Sequence, residues 1–425
     1  MSVTRNVECM NSHLLRLFFF AVPIVSIFSS NALVPLVSLV GVLTAIFGYS
    51  ENRTLPSFTK KQLCLAGGFF AWVSLASLWS INPLEALKLD VRLIGVTITG
   101  LLLLNAVEAQ SLETKQRIAK ALLIGLILAG ILLVIESTLN APITKTIKGK
   151  DLDAAMNLSR FNRGASFLGI SLWVVVALYA KKLPFVWRVV FPVLPLGLLY
   201  FAPSESSLLA VVLATVWYFI FYLCPKVGFK VLPVVMIVSV LAMPFATRFV
   251  EPLYDAQSSQ SIPFSAKHRF FIWDYVSSQI LDNPLKGWGF DSARDYPNNG
   301  VENYVHVDVN GNERALGGRI ISLHPHNFAL QVWLELGLVG AILISVIIWS
   351  VFGYLKSLQL AERIEIQAML VATFIVALLG YGIWQNRWFV MFFIFAAMLP
   401  LIPLKQAQNP LPESGSLPEV DEYGA

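Results

Sequence analysis

Residues 324–340 read HPHNFALQVWLELGLVG, where a long polar segment meets an apolar stretch. The pattern predicts a membrane helix that begins at this junction, with Pro325 in its first turn, where a missing N–H costs nothing. His326 would then lie beside the positive end of the helix dipole, which disfavours imidazolium. A neutral histidine can accept a proton from a hydroxyl, so His326 is a candidate general base, with His324 and Asn327 as candidate binding residues. The plainer alternative is a histidine that only caps the helix.

Two glycines and a carboxylate mark the helix that follows. Gly337 and Gly340 would let another helix approach this one closely. Glu335 would lie in line with Asn327 and Gln331, on the face opposite His326. An ionisable group at such a depth is a candidate for function, but the alignment favours a structural role, as part of a hydrogen-bonded polar stripe that faces the bundle.

Composition indicates the broad class of the protein. The chain is 56% hydrophobic and 13% charged, with a mean hydropathy of +0.68, unlike an ordinary soluble domain. We expect an all-α polytopic membrane protein with about twelve transmembrane helices. The apolar runs lie near residues 14–30, 32–49, 63–79, 92–108, 119–139, 164–180, 186–202, 207–223, 231–247, 326–353, 367–384 and 388–404.

Basic residues predict the orientation, since short cytoplasmic loops are enriched in Lys and Arg. Such residues fall on one side of the predicted topology, for example Lys60, Lys61, Lys115, Arg117, Lys226 and Lys230. Both termini would share that side, and the long segment before the tenth helix would face outward.

Four regions follow from this topology. Residues 1–247 would form helices 1–9, and 325–404 helices 10–12. Residues 248–324 are too long for a simple connection and rich in aromatic residues, so we expect a helical periplasmic subdomain, with a surface helix over 266–281. Residues 405–425 read as a disordered cytoplasmic tail.

Several kinds of site receive no support from the sequence. The three cysteines fall at cytoplasmic ends of the topology, which favours neither a disulfide framework nor a Cys-based metal site. There is no Gly-rich phosphate loop, so ATP is not implied. We predict no cofactor, no metal and no nucleic-acid partner.

Five arginines lie on the outward side, where the positive-inside tendency does not require them: Arg160, Arg163, Arg269, Arg319 and Arg387. They predict an anionic ligand, since guanidinium groups match phosphate oxygens in geometry. Arg160 and Arg163 are three residues apart and would be neighbours on one helix face. For any single arginine, the alternative is an anchor to lipid headgroups.

Glu205 is a second candidate acid/base, because it lies just outside a predicted span. A carboxylate in that position is more often a hydrated helix cap.

These residues together carry a resemblance. The central motif is His326-Asn327, followed after nine residues by Gly337 and after two more by Gly340. Arg269 with Trp273 and the turn at 283–290 precede this motif, and the stretch 382–388 follows it. The arrangement resembles the O-antigen ligase (WaaL) family, within a superfamily that also holds Wzy-type polymerases and O-linked oligosaccharyltransferases. The chain departs from the family at 203–207, which read PSESS, because many relatives carry an arginine there. Arg160 and Arg163 are the candidates to supply that charge.

The resemblance implies a GT-C-like fold and transfer of a completed glycan from undecaprenyl diphosphate to a sugar hydroxyl of lipid A-core, at the periplasmic face. It further implies an inverting transfer that needs neither nucleotide sugar nor metal, with His326 as the base and Arg269 holding the diphosphate. A repeat-unit polymerase and a protein O-oligosaccharyltransferase remain as alternatives, which the acceptor would distinguish. A transporter of lipid-linked sugars is a third reading, but it would need polar residues through the full depth of the membrane.

Overall fold

The computed structural model describes residues 2–52, 57–179, 184–202, 204–250, 262, 264–297, 305–307, 313–315, 320–321 and 323–403. Helices make up most of this part of the chain. Their bounds are α1 (Ser2–Phe28), α2 (Leu33–Asn52), α3 (Lys60–Ser77), α4 (Pro83–Glu108), α5 (Leu112–Thr138), α6 (Pro142–Ile147), α7 (Asn162–Tyr179), α8 (Phe185–Val190), α9 (Leu194–Tyr200), α10 (Glu205–Phe221), α11 (Pro225–Ala246), α12 (Phe264–Asp282), α13 (Ser292–Asp295), α14 (Phe328–Ser357), α15 (Ile364–Leu379) and α16 (Asn386–Met398).

Each predicted apolar run overlaps a helix. Among the described residues, six helices are long and apolar enough to cross a membrane: Met10–Phe28, Ser30–Ser50, Leu112–Thr138, Leu158–Tyr179, Pro225–Phe249 and Phe328–Ser357. Shorter apolar helices cover Phe191–Tyr200, Glu205–Phe221, Ile364–Leu379 and Asn386–Leu401. The chain is therefore a helical, multi-pass membrane protein, and the count of twelve spans stays a prediction.

The run at 186–202 is interrupted by its prolines. Helix α8 ends at Val190, a 3₁₀ turn covers Phe191–Val193, and α9 begins at Leu194. Pro192 and Pro195 each lie near the start of the second and third pieces, where a missing N–H costs least.

The helices pack in pairs that are distant in the sequence. Helix α1 packs on α5, α2 on α4, α10 on α15, and α11 on α14. The backbones approach closely at small residues, since a Cβ atom on Gly125 of α5 would overlap the Phe20 carbonyl of α1. This is the packing expected of membrane helices, which lack a hydrophobic driving force between them.

The described residues of the segment before α14 include a helix, a turn and two paired strands. Helix α12 lies at Phe264–Asp282, close to the predicted range, and packs on α14. The expectation of an all-α chain is wrong in one detail, because β1 (Val305–Val307) pairs antiparallel with β2 (Glu313–Ala315). The predicted tail, 405–425, lies outside the described residues.

Helix α14 is broken at Gly337, which has φ 64° and ψ −162°, a conformation almost restricted to glycine. The turn at residues 284–289 fills the break. The N–H groups of Trp288 and Gly289 donate to the carbonyls of Leu334 and Glu335, at 2.8 and 3.0 Å.

The other open groups at the break also have partners. The indole N–H of Trp72 donates to the Leu336 carbonyl at 3.1 Å, and the Leu338 N–H donates to the Pro284 carbonyl at 2.8 Å. The expectation that Gly337 admits another helix is therefore wrong. It admits a turn, because broken backbone at this depth must find its hydrogen bonds within the protein.

Candidate active site

Asn327 is the N-cap of α14. Its side-chain Oδ1 accepts the N–H groups of Ala329 and Leu330, at 3.0 and 3.1 Å, and the helix begins at Phe328. The prediction that Pro325 and His326 lie in the first turn is therefore wrong. Asparagine is a strongly preferred N-cap, and here it outweighs the preference of proline for the first helical position. The predicted role of Asn327 in substrate binding is untested, and its Oδ1 is occupied by the cap.

His326 lies just outside the helix with φ +54°, in the left-handed region. Two contacts hold the loop around it. The Pro325 carbonyl accepts the Trp273 indole N–H of α12 at 3.0 Å, and the His324 Nδ1 accepts the backbone N–H of His326 at 3.1 Å. The two imidazole centroids are 4.3 Å apart. His324 thus supports the conformation of His326.

The His326 imidazole is oriented by a backbone carbonyl. Its Nδ1 lies 3.2 Å from the Gly380 oxygen. Because a carbonyl only accepts hydrogen bonds, Nδ1 carries the proton and Nε2 keeps its lone pair. The atom available to take up a proton is therefore Nε2.

Burial lowers the pKa of His326; the hydrogen bond to Gly380 opposes this, and the charges of Arg269 and His268 reinforce it. Burial also lowers the pKa of His324 to about 3, with His326, Arg294 and Arg387 adding to the effect. Both imidazoles are therefore neutral near pH 7. The predicted neutrality of His326 thus has a different cause from the helix dipole, since the residue precedes the helix.

Arg269 reaches the site from α12. It makes no hydrogen bond or ion pair with any described residue. Burial lowers the pKa of its guanidinium, while Glu205 and Tyr381 oppose that shift. A half-buried cation without a fixed partner is suited to an anionic ligand.

Arg163 and Arg387 approach the same region from α7 and α16. The Arg163 guanidinium lies 5.6 Å from the centroid of the Tyr381 ring, and its buried Nε has no hydrogen-bond partner among the described residues. Arg387 donates to the Gln385 side chain at 3.2 and 3.3 Å and to Asn31 at 3.0 Å. Arg387 is thus partly committed to the protein.

Tyr381 lies near these cations, and the sequence analysis did not identify it as a candidate site residue. Burial raises the pKa of Tyr381, whereas Ser166, Arg163, Arg387 and Arg269 lower it. The only signal in the sequence was its position beside the 382–388 stretch, because an aromatic residue near a membrane interface is common.

Arg160 lies in the 3₁₀ turn Leu158–Phe161, which leads directly into α7, the helix that carries Arg163. The predicted shared face of the two arginines stays a prediction. Its recorded contacts are with the Phe161 ring, at 5.7 Å, and the Met156 sulfur, at 3.8 Å. Arg319 lies outside the described residues.

Glu205 opens α10, and its Oε2 accepts the Ser265 hydroxyl at 3.2 Å. Its charge acts on Arg269, which places it at the edge of the cation group. The contact joins the start of α10 to that of α12. Both readings of Glu205, as a cap or as an acid/base, remain open.

The predicted polar stripe on α14 is present. Glu335 is fully buried, and its Oε1 accepts the Gln331 side-chain amide at 3.0 Å. Its Oε2 accepts the Trp384 indole N–H at 2.7 Å and the Asp291 backbone N–H at 2.9 Å. The stripe therefore connects α14 to the segment at Asp291 and to the loop between α15 and α16.

Comparison with known proteins shows that part of the chain is similar to one protein family. The family described as O-antigen ligase matches residues 190–345. Three relatives carry the name "Putative polysaccharide ligase". The protein of Rickettsia felis is 27% identical over 324 residues, or 75% of each chain. That of Rickettsia conorii is 27% identical over 324 residues, covering 75% of this chain and 74% of the relative. That of Rickettsia bellii is 26% identical over 333 residues, covering 77% and 76%.

No solved structure matches the chain. The sequence matches support the resemblance found in the residues: the segment 190–345, which carries both Arg269 and His326, is similar to the O-antigen ligase family.

Proposed function

We propose that this protein transfers a completed glycan from undecaprenyl diphosphate to a sugar hydroxyl of lipid A-core, at the periplasmic face of the bacterial inner membrane. The observation that carries the proposal is the combination of a neutral His326, whose Nε2 keeps its lone pair, and an Arg269 that has no hydrogen-bonding partner in the described part of the chain. A base and an anion site are the two elements that transfer from a diphosphate requires.

The proposed step is a single displacement. The His326 Nε2 takes the proton of the acceptor hydroxyl as the hydroxyl oxygen attacks the anomeric carbon of the donor sugar. The bond from that carbon to the diphosphate oxygen breaks, and undecaprenyl diphosphate leaves with the electron pair. Attack opposite the leaving group inverts the anomeric configuration.

The arginines would stabilise the leaving group. Negative charge grows on the diphosphate as the bond breaks, so cations already in place stabilise the transition state more than the ground state. Arg269 and Arg163 are the candidates for direct contact with the diphosphate. Among the described residues, Arg269 has no hydrogen-bonding partner, and the buried Nε of Arg163 has none either. Arg387 and Arg160, which already contact protein groups, would act at longer range. We propose the same diphosphate contact for Arg319.

The proposed site lies at one end of the bundle. His326 precedes α14, Arg269 lies in the second turn of α12, and Arg163, Glu205 and Arg387 lie in the first turns of α7, α10 and α16. Lysines such as Lys61 and Lys115 lie at the other end. This separation supports a periplasmic site and a GT-C-like arrangement, in which the lipid-linked donor enters from the outer leaflet.

The test is transfer by the purified protein. It is incubated with undecaprenyl-diphosphate glycan and lipopolysaccharide that lacks the glycan, in a buffer with a chelator and without ATP. A ladder of glycan-bearing lipopolysaccharide on a gel is the expected result.

Other products would point elsewhere. Longer donor chains without modified lipopolysaccharide would identify a polymerase, and glycan on an added protein acceptor would identify a protein O-oligosaccharyltransferase. Movement of the lipid-linked donor across the membrane of a vesicle, without transfer of its glycan, would identify a transporter. His326→Ala is the matched inactive control.

A further inference from the structure

The Glu335 side chain accepts three hydrogen bonds in addition to those that satisfy the open backbone carbonyls of the broken helix. The carbonyls opened at Gly337 are satisfied by the N–H groups of Trp288 and Gly289 and by the Trp72 indole. The Glu335 carboxylate accepts three other donors, from Gln331, Trp384 and Asp291. Of these, only the Asp291 N–H belongs to the segment that directly follows the turn in the break.

A fully buried carboxylate is expensive to keep in a membrane bundle. An apolar side chain of similar size would pack there at lower cost. The helix break can account for the Asp291 contact alone, so the other two partners, Gln331 and Trp384, must explain why this position carries a carboxylate.

Two of those contacts lead to the loop between α15 and α16. The Trp384 indole N–H reaches Glu335 directly, at 2.7 Å. The Ile383 backbone N–H donates at 3.0 Å to the Oε1 of Gln331, whose amide nitrogen in turn donates to Glu335. One carboxylate thus fixes two consecutive residues of this loop.

The other end of the same loop contacts the histidines. The Gly380 carbonyl accepts the His326 Nδ1 hydrogen, and a Cβ on Gly382 would lie only 3.0 Å from the His324 ring. The loop of residues 380–385 therefore stands between the carboxylate on one side and both imidazoles on the other.

We propose that Glu335 is a positioning residue for His326, acting through the 380–385 loop to hold the Gly380 carbonyl against the imidazole and so to keep Nε2 free. The inference rests on the proposed function, in which His326 Nε2 accepts the acceptor proton. Glu335 itself touches neither substrate nor base.

The tautomer of His326 is the readout that separates positioning from mere stability. The chain has five histidines, so a protein labelled with ¹⁵N in the imidazole rings gives few signals. His326 is assigned by the signal lost in His326→Ala. In the wild type we expect a protonated Nδ1 and an unprotonated Nε2.

Two variants loosen the loop. Glu335→Gln removes one acceptor oxygen, and Trp384→Phe removes one donor while keeping an aromatic ring against Phe69 and Phe290. In both, the His326 signals should move toward a mixture of tautomers. The transfer rate constant should fall about tenfold or more at unchanged KM for the donor, as for other misplaced catalytic groups. Trp384→Phe keeps the test valid if Glu335→Gln does not fold.

The matched control is Glu365→Gln. Glu365 is also buried, and it pairs with Arg363 at the start of α15, the end of that helix remote from Gly380. This variant should leave both the His326 signals and the transfer rate as in the wild type.

The outcomes are distinguishable. Wild-type His326 signals in folded Glu335→Gln and Trp384→Phe would overturn the inference, even in an active ligase. Altered signals with an unchanged rate would also overturn it. A wild-type protein that transfers no glycan would overturn the proposed function, whereas the tautomer measurement would still report whether Glu335 orients His326.

Discussion

The Nδ1 atom of His326 lies 3.2 Å from the carbonyl oxygen of Gly380, 54 residues later in the chain. This contact joins the start of α14 to the end of α15. It determines which nitrogen of the candidate base bears hydrogen, and it does so with a backbone atom that no side-chain substitution removes. The orientation of the His326 imidazole therefore depends on how the start of α14 packs against the end of α15.

Replacing the base should abolish transfer. We expect His326→Ala to lower the initial rate of glycan transfer by at least about a hundredfold, while donor binding and membrane insertion stay near wild type. His324→Ala should be milder, because it removes one acceptor from the His326 N–H, a loss of about 0.5–1.5 kcal/mol. Rates and donor affinity are measured on purified protein. A fully active His326→Ala would exclude the general-base role and make Glu205 the next candidate.

The rate should depend on pH in one direction. The neutral imidazole is the active form, and burial lowers the pKa of His326 below the ordinary value of about 6.5. Transfer should therefore persist as the pH falls to about 6.5 and decline only at lower pH. The measurement is initial rate against pH at saturating donor. A decline centred above the ordinary histidine value would contradict the effect of burial.

The anion site should distinguish arginine from lysine. Arg269→Lys keeps the charge but loses the planar fork, so we expect most activity to disappear, a penalty of about 1.5–3 kcal/mol. Arg248 is a suitable control, because it is an exposed arginine on the 3₁₀ turn after α11. Arg248→Lys should transfer at the wild-type rate. Equal activity of the two variants, at equal protein levels, would reduce Arg269 to a lipid anchor.

The break in α14 should not tolerate a side chain. In Gly337→Ala the new methyl group would overlap the Leu285 carbonyl, and the backbone conformation alone costs about 1–3 kcal/mol. Heating in detergent followed by size-exclusion chromatography should show a clear loss of thermal stability. Gly95→Ala is the control, since a Cβ there meets no atom within 4 Å and alanine favours a helix. Equal stability of the two variants would mean that α14 is continuous.

The orientation can be tested by thiol labelling. In a background without Cys9, Cys64 and Cys224, we expect Ser265→Cys at the start of α12 to react with an impermeant reagent in intact spheroplasts. Ser357→Cys at the end of α14 should react only after lysis. Both serines are exposed, so access and not burial decides the result. The opposite pattern would invert the topology and move the site to the cytoplasm.

The helices could be predicted because each long apolar run has only one stable solution in a bilayer, a helix that satisfies its own backbone. The start of α14 was predicted less well. Pro325 and Asn327 both signal a helix start, two residues apart, and the choice depends on contacts from Trp273 and Gly380 that local sequence does not contain.

The arginines of the candidate site could be proposed by counting charge on each side of the topology, and the charges of Arg163, Arg269 and Arg387 all lower the pKa of Tyr381. Their common neighbour could not be found in this way, because tyrosine at an interface is ordinary. Gly337 was misinterpreted for a different reason. A glycine in an apolar run suggests close helix packing, whereas the break depends on hydrogen bonds from a turn some 50 residues earlier in the chain.

That break also constrains the order in which the protein can be assembled. The first half of α14 ends in carbonyls whose partners are Trp288, Gly289 and Trp72, and lipid offers no donor to replace them. The three residues all precede α14 in the chain, so they are synthesised before the helix that needs them. We therefore expect α14 to take up its broken conformation as soon as it enters the bundle, because the turn and the indole that satisfy its open carbonyls are already in place.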